Sequence, residues 1–145
     1  MQLRIKKLDE RAIVPTYGTE YSAGADLYCV SDADVTIAPH STVMIHTGIA
    51  LEIPEGYAGL IFARSGLASK RSLAPANKVG VIDADYRGEC MVALHNHSDA
   101  PQTVAVGERV AQLVIVPFLK VEFECVDELS DTVRGEGGFG STGKK

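Results

Sequence analysis

The sequence is short of the residues that mark secreted, zinc-clustered or membrane-spanning chains. It has no tryptophan and only three cysteines, Cys29, Cys90 and Cys125. An odd number of widely spaced cysteines, mostly in apolar segments, is typical of small core residues in a reducing compartment and argues against a disulfide framework or a zinc knuckle. No apolar run approaches the length of a membrane span, and residues 1–7 lack the apolar stretch of a signal peptide. We therefore expect a cytoplasmic protein without a membrane partner.

The sequence also has no excess of basic residues. The formal net charge is -5 at pH 7, which argues against a nucleic-acid surface because such a surface needs a basic patch. A small anionic ligand stays possible, since a few local arginines decide that. The 145 residues, 46% of them hydrophobic and 23% charged, suit one soluble globular domain with a real core.

Short apolar or alternating segments follow one another at regular spacing, and helical periodicity is scarce. We predict strands within residues 3–7, 22–28, 34–37, 42–53, 57–63 and 102–106, a central strand over 109–117 and a half-exposed strand over 121–125. This pattern favours an all-β barrel or jelly roll with one short helix. We expect the barrel domain to cover residues 1–130.

Residues 77–94 hold the densest group of chemically capable side chains. An apolar run is followed by Asp83, Asp85, Tyr86 and Arg87 and then by a second strand-like run, which predicts a β-hairpin. Its tip would carry a possible general base, an aromatic face and a cation. The structural alternative is that the two aspartates only make side-chain-to-backbone turn bonds.

Residues 64–71 are where we predict the helix. Ser65 is the candidate N-cap, so the amides of Gly66 and Leu67 would point outward and could attract phosphate, with Arg64 beside them as a charged donor. A capped helical turn without a ligand is the simpler alternative. After Arg109 at its start, Gln112 is the one polar residue in the central strand, where a buried amide needs a partner or a ligand.

Two other features invite a metal or nucleotide interpretation and support it poorly. His95 and His97 would share one face of a strand, but no third metal ligand is evident nearby, so a solvated face is the default. Residues 138–144 match the glycine and lysine spacing of a P-loop, yet Lys145 stands where Ser or Thr is required and the strand–helix context is missing.

The glycine-rich residues 131–145 have almost nothing to bury. We expect a mobile C-terminal lid, because ordering each residue costs roughly 1–2 kcal/mol of backbone entropy. Arg134 and the backbone amides could grip an anion while Phe139 stacks on a flat group. Such a lid should close only over a ligand.

Five segments together resemble the trimeric dUTPase family over nearly the whole chain. They are residues 23–28 (AGADLY), 64–67 (RSGL), 80–88 (GVIDADYRG), 107–113 (GERVAQL) and 134–141 (RGEGGFGS). The resemblance implies a jelly-roll homotrimer whose active sites are each built from three chains. It further implies that Mg²⁺ and dUTP bind and that dUMP and pyrophosphate are released, which limits uracil incorporation into DNA and supplies dUMP for thymidylate synthesis.

The same resemblance implies roles in catalysis and in base and sugar recognition. Asp83 would be the general base that deprotonates the attacking water; a positioned base is typically worth roughly 10²–10⁴ in rate. Tyr86 would lie under the deoxyribose and leave no room for a 2′-hydroxyl. Asn77, with Val79 and Gly80 of the neighbouring backbone, would read uracil.

For the phosphates, the resemblance implies Arg64, Ser65, Gly66 and Gln112 as ligands. Asp26 would be an acid near the waters of the metal. Mg²⁺ prefers phosphate oxygens and waters to a cage of protein ligands, so a dedicated cluster is not expected.

From the C-terminal segment, Arg134 would reach the γ-phosphate in the manner of an arginine finger. Phe139 would cover the base, with Gly140 and Ser141 beside the substrate. One departure is Ala63, where the family often has proline, so the loop before the helix would be less rigid.

Two other functions stay open. The sister dCTP deaminases share the barrel and the trimer, but they differ around Arg64 and Ser65 and lack this type of glycine-rich tail. A binding or regulatory module could keep the pocket without turnover, although every chemical position is filled here.

Overall fold

The computed structural model describes residues 1–138. Within them the chain forms strands joined by short turns, with one helix between the seventh and eighth strands. The elements are β1 (Arg4–Lys7), β2 (Thr16–Tyr17), β3 (Ala25–Tyr28), β4 (Val35–Ile37), β5 (Thr42–Ile45), β6 (Ile49–Glu52), β7 (Tyr57–Phe62), α1 (Ser65–Arg71), β8 (Leu73–Pro75), β9 (Gly80–Ile82), β10 (Val92–Asn96), β11 (Gln102–Val104) and β12 (Arg109–Pro117).

The strands pair antiparallel in four small sheets. The largest has the order β2-β3-β12-β7-β9, a second has the order β5-β10-β8, and β1-β6 and β4-β11 form two-stranded ribbons. The all-β fold class with one short helix is confirmed. The predicted central strand is also confirmed, because β12 lies between β3 and β7.

The core lies between these sheets and is made almost entirely of aliphatic side chains. Leu27 of β3, Ile37 of β4, Ile49 of β6 and Leu94 of β10 are fully buried, each from a different sheet or ribbon. Burying such side chains stabilises the fold by roughly 1.5–3 kcal/mol each. Cys29 and Cys90 are buried core residues as expected, whereas Cys125 is exposed.

The predicted β-hairpin over residues 77–94 is wrong. Its first strand, β9, pairs with β7, and its second, β10, pairs with β5 and β8 in another sheet. The residues between them cross from one sheet to the other and bond to β6 on the way: Cys90 N donates to Ile49 O at 2.8 Å, and Glu89 bridges Ala50. Apolar alternation identifies strands but does not name their partners.

The predicted strand over residues 121–125 is also wrong for this subunit. The last backbone bond to the barrel is from Phe118 N to Gly56 O, 3.0 Å. Beyond it, residues 119–136 are exposed and form no strand in the part of the chain that the structure describes, and Phe123 is 94% exposed. A strand needs a hydrogen-bonding neighbour, and alternation alone does not supply one.

Two strands went unpredicted. Thr16 and Tyr17 of β2 pair with Asp26 and Ala25 of β3, although this stretch reads as a connection. β8 directly follows the helix and pairs with β10. Among residues 1–138, no helix is long and apolar enough to cross a membrane.

Candidate active site

The register of the five-stranded sheet brings several of the predicted site residues together. Gln112 on β12 lies opposite Asp26 on one side and Phe62 on the other. Because directly opposed residues share a face of a sheet, Asp26 and Gln112 project to the same side. Arg64 follows two residues after Phe62, at the start of α1, and therefore arrives at the same edge.

A cavity of about 370 Å³ opens at this edge, and we call it the phosphate-side cavity. Five of the six residues predicted for the phosphates and the metal line it, namely Asp26, Arg64, Ser65, Gly66 and Gln112. Arg109, which sequence reasoning did not select, lines it too. The sequence offered two hints: Arg109 lies in the family-like segment 107–113, and with Glu108 it forms a charged pair at the start of an apolar central strand.

Asp26 is held between two guanidinium groups. Arg64 Nε donates to its Oδ1 at 2.7 Å, and Arg109 Nη1 donates to its Oδ2 at 3.1 Å. Asp26 itself is 9% exposed, so a buried carboxylate obtains the charged partners that it needs. The two arginines and one carboxylate leave one net positive charge at the wall of the cavity.

Gln112 finds its partner in the loop before the helix. Its Nε2 donates to Ala63 O at 2.8 Å, which satisfies the amide and ties that loop to the central strand. Gly24 makes the arrangement possible, because a Cβ there would lie 2.5 Å from Gln112 Oε1. Ala63 in place of proline therefore does not leave the loop unsupported.

The helix begins one residue differently from the prediction. Arg64 is the N-cap residue, with an extended backbone (φ -83°, ψ 131°) and no side-chain capping bond, and Ser65 is the first helical residue. The prediction of Ser65 as N-cap is therefore wrong. The reason is that the Arg64 side chain turns away to Asp26, and the first turn is closed by the bond from Ala68 N to Arg64 O, 3.0 Å.

A second cavity, of about 250 Å³, lies at the end of β9, and we call it the base-side cavity. The predicted residues Asn77, Gly80, Asp83 and Tyr86 line it, and apolar side chains including Met44 and Met91 complete its walls. The base-side cavity is therefore a small, largely apolar pocket with a few polar groups, which is typical of binding sites for small molecules.

The turn that carries the recognition residues is tightly folded. Lys78 has a φ of 66°, a left-handed conformation uncommon for a residue with a side chain, and Val79 N donates to Asn77 O at 2.7 Å. A Cβ at Gly80 would lie 3.4 Å from Asn77 Nδ2 and 3.3 Å from Ile61 Cβ. The contact with Ile61 would be tight and the one with the Asn77 amide ordinary, so glycine mainly relieves crowding against β7.

Tyr86 folds back over the chain that follows it. A second turn is closed by the bond from Tyr86 N to Asp83 O, 3.2 Å, and the Tyr86 hydroxyl donates to Glu89 O at 3.1 Å. A Cβ at Gly88 would collide with the phenol ring. The aromatic face next to Asp83 is thereby fixed, and both side chains remain exposed to a ligand.

Glu89 anchors this loop to the rest of the barrel and was missed by sequence reasoning. Its carboxylate accepts bonds from Thr47 N at 3.1 Å, Gly48 N at 2.8 Å and His46 Nδ1 at 2.8 Å. Burial by itself would raise the pKa of Glu89, but the bonds from His46 and the two amides outweigh it and lower the pKa. No local sequence pattern connects residue 89 with residues 46–48.

The donor set of the chain does not fit a metal held by the protein alone. Among residues 1–138, no group of three His, Cys, Asp or Glu side chains is arranged to hold an ion. Both oxygens of Asp26 accept bonds from arginines. The His95 and His97 rings pack edge to face, with centroids 4.4 Å apart. A divalent ion carried on phosphate oxygens would not need such a group.

The base-side and phosphate-side cavities share no lining residue. Arg134 lines neither of them. Its side chain is exposed, and its Nε donates to Gly137 O at 2.7 Å within its own turn. Phe139, Gly140 and Ser141 lie outside the described residues. A jelly-roll subunit with a small pocket lined by Tyr86 and a separate cationic pocket is the arrangement that a ligand with a flat ring and an anionic group would need.

Comparison with known proteins identifies the family. The dUTPase family profile matches residues 10–143. A deoxyuridine 5'-triphosphate nucleotidohydrolase of Hydrogenobaculum sp. is 52% identical, and the alignment covers 100% of both chains. The dUTPase of Staphylococcus bacteriophage 80alpha, solved with dUPNHPP, superimposes with a TM-score of 0.90 at 33% identity and covers 98% of both chains.

A mutant dUTPase of phage phi11 of S. aureus, described for its coordination of a structural Mg(II) ion, has a TM-score of 0.79 at 30% identity, with coverage of 88% of this chain and 98% of that one. The chain belongs to the dUTPase family. The predicted family and the predicted enzyme class, dUTP diphosphatase, are confirmed.

Proposed function

We propose that the chain hydrolyses dUTP to dUMP and pyrophosphate by attack of water on the α-phosphorus. The observation that carries the proposal is the pairing, on one subunit of this family, of a small pocket holding Asp83 and Tyr86 with a cationic pocket holding Arg64. One pocket suits a nucleoside and the other suits a polyphosphate. A hydrolase that recognises the base and cleaves between the α- and β-phosphates needs both.

Asp83 is the residue we assign to water activation. It directly follows β9, its side chain is exposed at the base-side cavity, and its backbone is fixed by the turn to Tyr86. A carboxylate in that position can accept a proton from water as the oxygen attacks phosphorus. An unsupported loop would place the base less accurately, and misplacement by about 1 Å can cost on the order of 10²-fold in rate.

We assign the selection of a deoxyuridine nucleotide to the turn at residues 77–80 and to the ring of Tyr86. Asn77, Val79 and Gly80 offer amide and backbone groups to the edge of uracil, and the flat Tyr86 ring lies where a ribose 2′-hydroxyl would need space. The support is the fixed position of Tyr86, which is held by Glu89 O and closely packed on Gly88. A site built around hydrogen bonds rejects mismatched analogues more strongly than an apolar site does.

Triphosphate binding is assigned to Arg64, Ser65, Gly66 and Gln112, which line the phosphate-side cavity. Mg²⁺ would arrive on the triphosphate and neutralise its charge, with Asp26 as a contact to metal-bound water. The support is the chemistry of the donor set, in which arginine and amide donors outnumber free carboxylates. Arg134, Phe139, Gly140 and Ser141 are assigned to a lid over the substrate, with Arg134 on the γ-phosphate.

The assembly we propose is a homotrimer with active sites shared between chains. In one subunit the base-side and phosphate-side cavities have no residue in common, although one substrate must contact both. Large apolar side chains in residues 118–138 are also left exposed, among them Phe123 and Leu129, and exposed apolar surface of this kind usually marks an interface. A neighbouring copy supplies the missing half of each site.

The test is a product and isotope assay on the purified protein with Mg²⁺. Incubation with dUTP in ¹⁸O-labelled water should release pyrophosphate and place the label in dUMP, and incubation with dCTP should release no ammonia. Asp83→Asn should retain nucleotide binding but lose roughly 10²–10⁴ in rate. Label in pyrophosphate, ammonia from dCTP, or wild-type rates in Asp83→Asn would each overturn the proposal.

A further inference from the structure

Both ends of α1 are attached to two consecutive residues at the start of β12. At the N-terminal end, Arg64 Nη1 donates to Arg109 O at 3.4 Å. At the C-terminal end, Arg71 forms an ion pair with Glu108 and also donates to Thr103 O. Glu108 and Arg109 therefore each hold one end of the helix against the barrel.

Glu108 is itself firmly held. Its second carboxylate oxygen accepts a bond from Ala105 N at 2.9 Å, and its own amide donates to Ala105 O at 3.1 Å. The turn before β12 is thus closed on both its backbone and its side chain. The Arg71 side chain docks on a rigid acceptor, and the helix has little freedom to slide along the barrel.

The backbone at Arg109 departs from regular pairing. The β12–β3 ladder shifts register between Arg109 and Ala111, and such irregularities redirect a side chain or bend a strand. Here the Arg109 guanidinium reaches Asp26, which also binds Arg64. The Arg109 side chain is 50% exposed, whereas those of Arg64 and Asp26 are 24% and 13% exposed.

The second arginine changes the charge that an incoming anion meets. If Asp26 bound Arg64 alone, the pair would be neutral. Arg64 could then present oriented hydrogen-bond donors to an anion but would attract it only weakly. With Arg109 sharing the carboxylate, the group keeps one net positive charge while the plane of the Arg64 guanidinium stays fixed by its bonds through Nε and Nη1. Fixed donors lose less freedom when an anion binds.

We propose that Glu108 and Arg109 are positioning residues for the phosphate-side cavity: they hold both ends of α1, and Arg109 shares Asp26 with Arg64 so that Arg64 is oriented without being neutralised. This inference rests on the proposed function. Arg109 would thus contribute to anion affinity although its own guanidinium binds the Asp26 carboxylate. Substituting it should therefore weaken polyphosphate binding and leave base recognition unchanged.

The experiment compares Arg109→Gln, Arg109→Lys and the wild type in steady-state hydrolysis of Mg·dUTP. Arg4→Gln is the matched control, because Arg4 forms an exposed ion pair with Glu52 at 3.3 Å away from the cavity. Arg109→Gln should raise KM by roughly tenfold or more, the weight of one charge-assisted contact, with a smaller change in kcat. Arg109→Lys should recover part of the loss because it restores the charge.

Two further measurements separate positioning from simple loss of structure. Inhibition by inorganic pyrophosphate should weaken in Arg109→Gln in step with KM, while inhibition by 2′-deoxyuridine, which carries no phosphate, should not change. Glu108→Gln should also raise KM and weaken inhibition by pyrophosphate, with Tm recorded for every variant. These two variants give separate tests if one of them fails to fold.

The outcomes also distinguish this inference from the proposed function. If the wild type does not hydrolyse dUTP, the proposed function fails first. If the wild type is active and Arg109→Gln keeps its KM and its inhibition by pyrophosphate, or loses affinity for deoxyuridine and pyrophosphate alike, the positioning role is overturned and the function stands.

Discussion

Asp26 is an acid whose two oxygens are both occupied by the protein's own cations. The resemblance to known relatives directed it towards a metal, and the geometry directs it towards Arg64 and Arg109. Asp26 can keep its two arginine contacts and also serve a metal only if a water molecule lies between the metal and its carboxylate. A direct metal bond would have to displace a guanidinium from a carboxylate that is 9% exposed, which leaves a buried charge without its partner.

Glu89 gives a prediction about acid stability. Its pKa is lowered below the ordinary value of 4.5 in the folded state. A lowered folded pKa means that the unfolded state binds the proton first, so the stabilisation is fully present above about pH 4.5 and is lost as the pH falls through the folded pKa. Glu89→Gln should lower the free energy of unfolding by roughly 1–3 kcal/mol at pH 7.

The measurement is urea unfolding of both proteins from pH 7 to pH 3. The difference between them should shrink as the pH falls below 4.5. Glu52→Gln serves as control, since its carboxylate is about half exposed and pairs with an exposed arginine, a type of pair worth little. A difference that stays constant with pH would mean that Glu89 contributes by packing and not by charge.

At the residue scale, sequence reasoning selected the residues to which we assign chemistry and missed those that hold them in place. Asp83, Tyr86, Arg64 and Gln112 stand out because polar or aromatic groups interrupt apolar strands. Glu89 does not stand out, because its partners lie more than forty positions away along the chain. Long-range contacts of this kind are fixed by sheet pairing, which residue patterns do not specify.

At the scale of elements, strand positions could be predicted but strand partners could not. The alternation in β9 and β10 is real, yet each strand pairs elsewhere because the chain crosses between sheets. The start of α1 was predicted one residue late for a related reason. Ser65 is the better intrinsic cap, but the Asp26–Arg64 contact decides the conformation of Arg64.

The C-terminal segment gives the prediction that belongs to this scale. Deleting residues 134–145 should reduce kcat/KM for dUTP by more than tenfold, because Arg134 lies in that segment and an arginine of this type is worth roughly 10³–10⁵ in rate in other phosphoryl-transfer enzymes. The Tm should change little, since Arg134 is exposed and bonds within its own turn. Kinetics and differential scanning calorimetry on the same samples check both.

Arg134→Ala is the matched control for the deletion. If the deletion lowers activity because it removes one charge, the single substitution should reproduce most of the loss. An equal fall in activity and Tm on deletion would assign the segment to the stability of the fold instead.

At the scale of the molecule, the separation of the two cavities makes a prediction about mixed assemblies. Asp83→Asn damages the base-side cavity and Arg64→Gln damages the phosphate-side cavity, so each homotrimer should be nearly inactive. Co-expressed subunits should combine at random, and roughly a quarter of the sites should then join two intact cavities from different chains in a closed ring. Specific activity of the mixture, relative to wild type, measures that fraction.

Light scattering should report three subunits for each variant and for the mixture. Blending the two purified homotrimers without subunit exchange provides the control and should show no recovery. If co-expression restores nothing although mixed trimers are present, each active site lies within one chain.

Whole-molecule organisation was only partly accessible from the sequence. Composition and strand spacing predicted the all-β class, and the five segments predicted the family. Neither could say that Asp26 and Gln112 would lie directly opposite each other, while Asp83 would line another cavity. That separation follows from strand order, with β3 and β9 at different positions in one sheet.

The loop that crosses from β9 towards β10 has a mechanical consequence. Asp83 is attached to the five-stranded sheet, while the group that restrains Tyr86 is fastened through Glu89 to residues 46–48 and to the ribbon formed by β1 and β6. The turn that joins Asp83 to Tyr86 is therefore anchored at its two ends to different parts of the barrel. A core substitution that shifts one layer against the other would displace this loop. It should therefore lower the turnover rate before it measurably lowers the stability of the subunit.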